Sequence, residues 1–279
     1  MEARTQATSF QRTGGVARNH AECLQKLGVA APLVSVVGDD LQADLLLNDK
    51  NTCPDHIFRA PGHTTASYLS LNVGGNIAFG LLSVEKLIAQ ITPEKATKRF
   101  LFDSADYVLL DSNLTVPALR KALDLCEHYG KKVWIEPTDL SKVNRFVEAG
   151  GLQRVHAFSP NALEFKNFCR KRGVEIGEDR LESAEAIADF LESHLKRLVA
   201  DQMDFFVVTL GANGVVAVGW RESRPEIVSS TRAFLAAHLH GASLSGCVQA
   251  GTKCAEFSLR STRTVPESVC FEQIVQPFL

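Results

Sequence analysis

Several short runs of this chain are almost wholly apolar: Pro32–Val37, Tyr107–Leu110, Val133–Ile135 and Phe205–Leu210, with Val155–Phe158 as a weaker member. They are too short for buried helices and rich in β-branched and aromatic residues, the pattern of strands buried on both faces. Such strands need a covering layer on each side. The stretches between them supply it, with helical periodicity over Ala17–Leu27, Pro117–Tyr129, Ala162–Arg170 and Ser183–Leu198, and again over Ala233–His240 and Leu244–Leu259. Strand–helix alternation of this kind predicts a mostly parallel sheet in a three-layer α/β/α sandwich.

One segment breaks the rhythm. Ala66–Leu71 alternates polar and apolar residues, Asn72-Val73-Gly74-Gly75-Asn76 reads as a turn, and Ile77–Leu82 is apolar again. That is the signature of a β-hairpin inserted between parallel elements. With no internal repeat and no low-complexity linker, the chain reads as one domain over 1–279 carrying a hairpin at about 56–83. Composition excludes some functions. A net charge of −2 gives no electrostatic reason to bind nucleic acid or an acidic membrane, and no apolar run approaches the ~20 residues that span a bilayer. Seven cysteines without a CxxC pair predict free thiols in a reducing compartment, hence a cytoplasmic protein. Arg4 and Arg12, with Glu2 the one acid among the first dozen residues, read as an ordinary disordered start rather than a transit peptide.

The richest local pattern is Gly14-Gly15-Val16-Ala17-Arg18-Asn19-His20-Ala21, followed at fixed distances by Gly28 and by Gly38 of Val37-Gly38-Asp39-Asp40. Glycines let backbone approach a polyhydroxylated ligand closely, and Asn19 offers both a donor and an acceptor to sugar hydroxyls. The spacing resembles the first signature of the pfkB (ribokinase-like) carbohydrate kinases. The resemblance implies substrate binding by Gly14, Gly15 and Asn19, ATP and Mg²⁺ as cofactors, and the hairpin as a lid over the sugar. A lid that excludes water suits phosphoryl transfer, because water is a competing nucleophile.

Further segments extend the likeness to about residues 13–266. Ser159-Pro160-Asn161-Ala162-Leu163-Glu164 is similar to the family's Asn-x-x-Glu motif near Mg²⁺ and the phosphates, which implies Asn161 and Glu164 at the metal. On the residues alone, a helix capping box reads equally well. Thr209-Leu210-Gly211-Ala212-Asn213-Gly214 resembles the nucleotide-contacting turn, implying Thr209, Gly211 and Gly214; a plain hairpin turn is compatible with that role. Leu244 through Pro266 aligns with the family's closing helix beside adenine. Gly14–Asn19, His63–Tyr68 and Glu136-Pro137-Thr138-Asp139 resemble the pseudouridine-kinase branch, so the implied acceptor is a sugar or nucleoside presenting a 5′-hydroxyl. Lid sheets in the family often pair between subunits, which implies a homodimer.

The chain departs from the family in two places. Only Met1–Thr13 precede the glycine pair, and they contain no apolar strand carrying the expected acid. The Gly-Ala-Gly-Asp signature, which supplies the catalytic base, is missing where Val228–Thr231 runs into Arg232–His238. The last aspartate is Asp204; Glu222, Glu226 and Glu256 read as solvated charges, and His238 and His240 are the other bases by chemistry. The catalytic residue is therefore unassigned and the chain reads as a shortened kinase, the alternative being a nucleoside- or nucleotide-binding pseudokinase without turnover.

Overall fold

The computed structural model describes residues 9, 11–50, 52–73, 76–95, 99–198, 203–221, 224–229, 234–259, 261, 263 and 265–279. The first third contains α1 (Val16–Lys26), β1 (Ser35–Val37), α2 (Leu41–Leu47), β2 (Ile57–Arg59), β3 (Ser67–Val73), β4 (Asn76–Ser83) and α3 (Glu85–Ile88). The middle follows with α4 (Arg99–Ser104), β5 (Tyr107–Asp111), α5 (Val116–His128), β6 (Lys132–Glu136), α6 (Arg145–Glu148), β7 (Ala157–Phe158), α7 (Ala162–Lys171) and α8 (Ala184–Leu198). Then come β8 (Phe205–Thr209), β9 (Val215–Arg221), β10 (Arg224–Ser229), α9 (Phe234–Leu239), α10 (Leu244–Leu259) and α11 (Phe271–Ile274).

Among the described residues, the central sheet has six strands in the order β10-β9-β8-β7-β6-β5. β5 to β8 are parallel, and the β9–β10 hairpin adds antiparallel strands at one edge. Both faces are covered. On one, α5, α7 and α8 bury Leu119, Leu123, Phe165, Phe168, Ile187 and Leu191 against the strands. On the other, α1 and α10 contribute Leu27, Cys247, Val248 and Cys254 to a core with Trp134, Val207 and Ala217. This is the expected three-layer sandwich.

Its densest part is an aromatic cluster. Phe158 of β7, Phe206 of β8 and Phe165 and Phe168 of α7 are fully buried, with ring centroids 5.0–6.3 Å apart. Ring pairs of this kind are worth about 0.5–1.5 kcal/mol each beyond area burial. They hold α7 against β7 and β8.

The periodicity overreached in three places. The strand expected over Pro32–Val37 begins only at Ser35, and it joins β2 in a separate two-stranded parallel sheet instead of the central one. Pro32 lacks the N–H that a ladder needs. Val155 is buried but precedes β7, which holds only Ala157 and Phe158. The hairpin strands run through Val73 and from Asn76, so the turn is tighter than the sequence suggested; Gly74 and Gly75 lie outside the described residues. Most of Met1–Thr13 and the junction at 230–233 also lie outside them.

Candidate functional site

The C-terminal ends of the parallel strands carry polar residues onto one edge of the sheet: Asp111 ends β5, Glu136 ends β6, Asn161 follows β7 and Thr209 ends β8. Each closes an apolar run. Open α/β sheets bind ligands at this edge, where strand ends and helix starts meet.

The glycine pair opens α1 at the same edge. Gly15 is its N-cap at φ 101°, a conformation that favours glycine, and no side chain caps the helix there. The Ala17 N–H in the first turn of α1 faces the Asp111 carboxylate and favours its charged form. Burial pushes the Asp111 carboxyl up, against the pull of the Asn113 and Ala17 N–H groups and of Lys142. Asn19 is not a cap; its Oδ1 accepts from Arg18 Nη1 at 3.0 Å. Arg18 is buried and pairs with Glu22 at 2.8 Å and Asp49 at 3.5 Å, fastening α1 to the segment after α2.

Gly38 does something different from Gly15. A Cβ there would lie 2.2 Å from the His63 carbonyl oxygen and 2.6 Å from the Thr65 nitrogen, so residues 63–65 cross it backbone to backbone. The Gly38 N–H donates to Thr65 Oγ1 at 3.0 Å, the Asp39 N–H to His63 O at 3.1 Å and the Thr65 N–H to Asp40 Oδ2 at 2.7 Å. Burial raises Asp40, but hydrogen bonds from Thr65 and from Ala43, whose helix it caps, outweigh this and hold the carboxyl below its ordinary range. The second half of the glycine pattern thus grips the root of the β3–β4 hairpin rather than a ligand.

Asn161 and Glu164 form a full capping box on α7. Asn161 Oδ1 accepts from the Leu163 and Glu164 N–H groups at 3.0 Å, and Glu164 Oε2 accepts from the Asn161 N–H at 2.8 Å. Glu164 is buried, which pushes its carboxyl up, and the nearby Asp139 charge pushes the same way. The Thr209 N–H donates to Pro160 O at 2.9 Å, so this turn and the 209–214 turn are direct neighbours. Gly211 at φ 60° and Gly214 at φ 90° turn the chain back into β9, the hairpin that the sequence also allowed.

Between these stations lies a chain that the motifs did not mark. Trp134 Nε1 donates to Ser159 Oγ, which donates to Glu136 Oε2, both at 2.7 Å, and His20 Nε2 stands 3.9 Å from that same oxygen. In the loop after β6, Thr138 has φ 65° and a buried Oγ1 without a hydrogen-bond partner; Ser112 Oγ after β5 is buried in the same condition. Strained backbone and orphaned hydroxyls gather where a ligand completes the structure. Asp111 and Glu136 could have been found from sequence, as the first acid after each apolar run.

The sequence-proposed bases fall elsewhere. His238 packs on Phe205 at 4.5 Å, with Tyr107 Oη 3.5 Å away; Tyr107 and Phe205 are the first residues of their strands, so His238 lies at the opposite edge of the sheet. Burial and then the charge of Lys132 hold His238 below the usual histidine range. His240 Nε2 lies 3.2 Å from Leu27 O, and the ring packs on Phe271, a structural position at the end of α1. Glu256 is exposed on α10, while the side chains of Glu222 and Glu226 lie outside the described residues. Among the described residues, no group of three or more His, Cys, Asp or Glu side chains is arranged to hold a metal, and no helix is long and apolar enough to cross a membrane.

The sequence model of the pfkB family carbohydrate kinases matches residues 2–268. The chain is 28% identical over 212 residues to a pseudouridine kinase of Arabidopsis thaliana, covering 73% of this chain and 55% of that protein. It is 29% identical over 206 residues to a pseudouridine kinase of Escherichia coli (strain K12), covering 72% and 61%. The chain therefore spans under two thirds of the length of these curated relatives. Among solved structures, Arabidopsis thaliana ribokinase complexed with ribose and ATP superposes with a TM-score of 0.71 at 16% identity, covering 99% of this chain and 90% of that one. A ribokinase II from E. coli in complex with ATP and Mg²⁺ gives 0.69 at 15% identity, covering 99% and 94%.

Proposed function

The chain belongs to the pfkB family of carbohydrate kinases, and on that premise we propose that it transfers the ATP γ-phosphate to the 5′-hydroxyl of a small sugar or nucleoside, with pseudouridine the leading acceptor. The observation that carries this is the meeting of the α1 start, Asp111, Glu136, the Asn161 turn and Thr209 at one sheet edge. Gly14, Gly15 and Asn19 hold the sugar. Thr209, Gly211 and Gly214 face the nucleotide, their backbone unshielded by Cβ atoms at the two glycines.

Mg²⁺ keeps most of its water shell and takes one or two protein carboxylates beside the phosphates. Glu164, with Oε2 engaged by Asn161, and the neighbouring Asp139 fit that demand. Asn161 serves the site by fixing Glu164. The metal, when bound, supplies charge neutralisation on the transferring phosphoryl group. We read the chain as a single domain, with residues 56–83 as a lid over the acceptor. The lid presents Leu69, Leu71, Phe79 and Leu81 on one face, paired Leu69–Leu81 and Leu71–Phe79 and each more than half exposed, a surface suited to a second copy of the chain.

The test is single-turnover transfer from γ-labelled ATP to pseudouridine, ribose and adenosine with Mg²⁺, run beside calorimetric titration of each ligand. Transfer to one acceptor supports the reading and names the substrate. Binding without transfer would make the chain a nucleoside-binding protein, and absence of both would overturn the assignment.

A further inference from the structure

A cavity of about 210 Å³ opens between the hairpin exit and the strand ends, lined by Val84, Ile88, Asn113, Thr115, Lys142 and Arg145. Its composition is two-sided. Val84 and Ile88 give an apolar wall, and the opposite wall carries two cations. Lys142 is 95% buried, since only 5% of its surface is exposed, and spends one donor on Asn113 Oδ1 at 2.9 Å. Arg145 Nη1 is anchored on the Asn113 carbonyl at 3.0 Å, with those of Ser112 and Leu114 at 3.4 and 3.5 Å, while no described residue takes its Nη2.

The cavity lies one turn beyond the end of β5, since Asn113 in its lining follows Asp111 by two residues. Asn113 donates its N–H to Asp111 Oδ1 at 2.9 Å, and the Ala17 N–H beside the glycine pair favours the charged form of the same carboxylate. The cavity therefore opens at the same sheet edge as the start of α1, which packs on β5. Pockets for whole drug-sized ligands hold about 300–1,000 Å³; this one suits a single ring.

We propose that this cavity receives the heterocycle of the acceptor, and that Lys142 and Arg145 select a pyrimidine-dione by donating hydrogen bonds to its ring carbonyls while Val84 and Ile88 pack on its face. Asp111 and Asp139 balance the two cations, so the pocket favours a neutral carbonyl edge over a full negative charge. Adenine has no ring carbonyl and would bring its exocyclic amine, itself a donor, against these donors, a mismatch that costs affinity. The proposal rests on the acceptor reading above for its sugar half only.

Calorimetric titration with pseudouridine, ribose, adenosine and free uracil separates the two. The wild-type chain is expected to bind pseudouridine more tightly than ribose or adenosine. Loss of charge-assisted bonds in Lys142→Met should cost about 10- to 100-fold in pseudouridine affinity while ribose affinity stays. Val84→Phe, which fills the cavity from the other wall, should do the same without touching a cation, and a thermal melt of each variant confirms that it is folded. Equal weakening of ribose and pseudouridine in both variants overturns the proposal, as does wild-type pseudouridine binding no tighter than ribose. Uracil binding that disappears in Lys142→Met supports the cavity even where ribose and ATP fail to bind, a result that would sink only the kinase reading.

Discussion

Gly38→Ala is the substitution whose consequence the structure defines most sharply. Gly38 has no positive φ, so alanine suffers no conformational strain of its own, and the effect is steric. The new Cβ would sit 2.2 Å from His63 O, 2.6 Å from Thr65 N and 2.7 Å from Thr64 C, all backbone atoms that cannot rotate away. Residues 63–65 must move as a unit. Their bonds to residues 38–40 are Asp39 N to His63 O, Gly38 N to Thr65 Oγ1, Thr65 N to Asp40 Oδ2 and Thr65 Oγ1 to Asp40 Oδ1. Asp40 lies near solvent, so its bonds are counted on the neutral scale of about 1 kcal/mol each. Losing half to all of the set costs about 2–4 kcal/mol, or roughly a 30- to 1,000-fold rise in local opening. Amide hydrogen exchange should show that rise across 57–73 and 76–83, with β5 to β8 still protected. In the kinase reading, acceptor KM rises with it, because the lid closes from a loosened root. Unchanged exchange in the hairpin, or equal loss of protection throughout the central sheet, would refute the division of labour between Gly15 and Gly38.

Two further outcomes are expected. Glu164→Gln keeps an acceptor for the Asn161 N–H, so the capping box survives while the charge goes. Because the folded-state pKa of Glu164 is raised by burial, its ionisation costs stability as pH climbs from the unfolded value through the folded one. The variant should therefore melt at or above the wild-type temperature at pH 7, with the gap closing near pH 4, and should need more Mg²⁺ for transfer; a lower melting point at pH 7 would show that the carboxylate is a structural charge. Leu81→Lys places a charge in the middle of the exposed Leu69–Leu71–Phe79–Leu81 face, and light scattering after size exclusion should find monomer where the unaltered chain is dimeric. A monomeric unaltered chain at tens of micromolar would remove the second copy from the proposal.

The layers of the fold were legible because burial writes itself into periodicity. Helices α1, α5, α7, α8 and α10 lie within a residue or so of their expected bounds, and the runs at 107–110, 133–135 and 205–210 became parallel strands. The location of β1 was not legible. A strand of three residues, Ser35-Val36-Val37, looks the same in a six-stranded sheet and in a two-stranded one, and its partner β2 lies twenty residues on with no pattern to announce it. The site was half legible. Motif spacing picked out Gly15, Asn161 and Thr209, which lie at one sheet edge, and Asp111 and Glu136 close apolar runs, but the single residues Lys142 and Arg145 have no pattern to reveal them. Lys142 is a lysine in a polar loop by sequence, yet it is buried, with its ammonium held by Asn113 from the turn after β5.

The glycine pattern now has a physical reason for its fixed length. Gly15 starts α1 at the strand ends, and Gly28 at φ 78° ends it after a single amphipathic helix. The chain then returns through β1 to place Gly38 under residues 63–65. A residue added or removed between Gly15 and Gly28 would rotate one end of α1 against the other by about 100°, so that buried Arg18 could not keep Asp49 and Thr52 while Leu27 keeps its place in the core. One added between Gly28 and Gly38 would slip β1 against β2, and a one-residue slip turns every strand side chain to the other face. Val36 would leave its cluster with Ala60 and Leu87, and the glycine would no longer meet the crossing. Spacing is therefore held by two packing registers at once, one setting the helix start at the strand ends and the other the root of the hairpin.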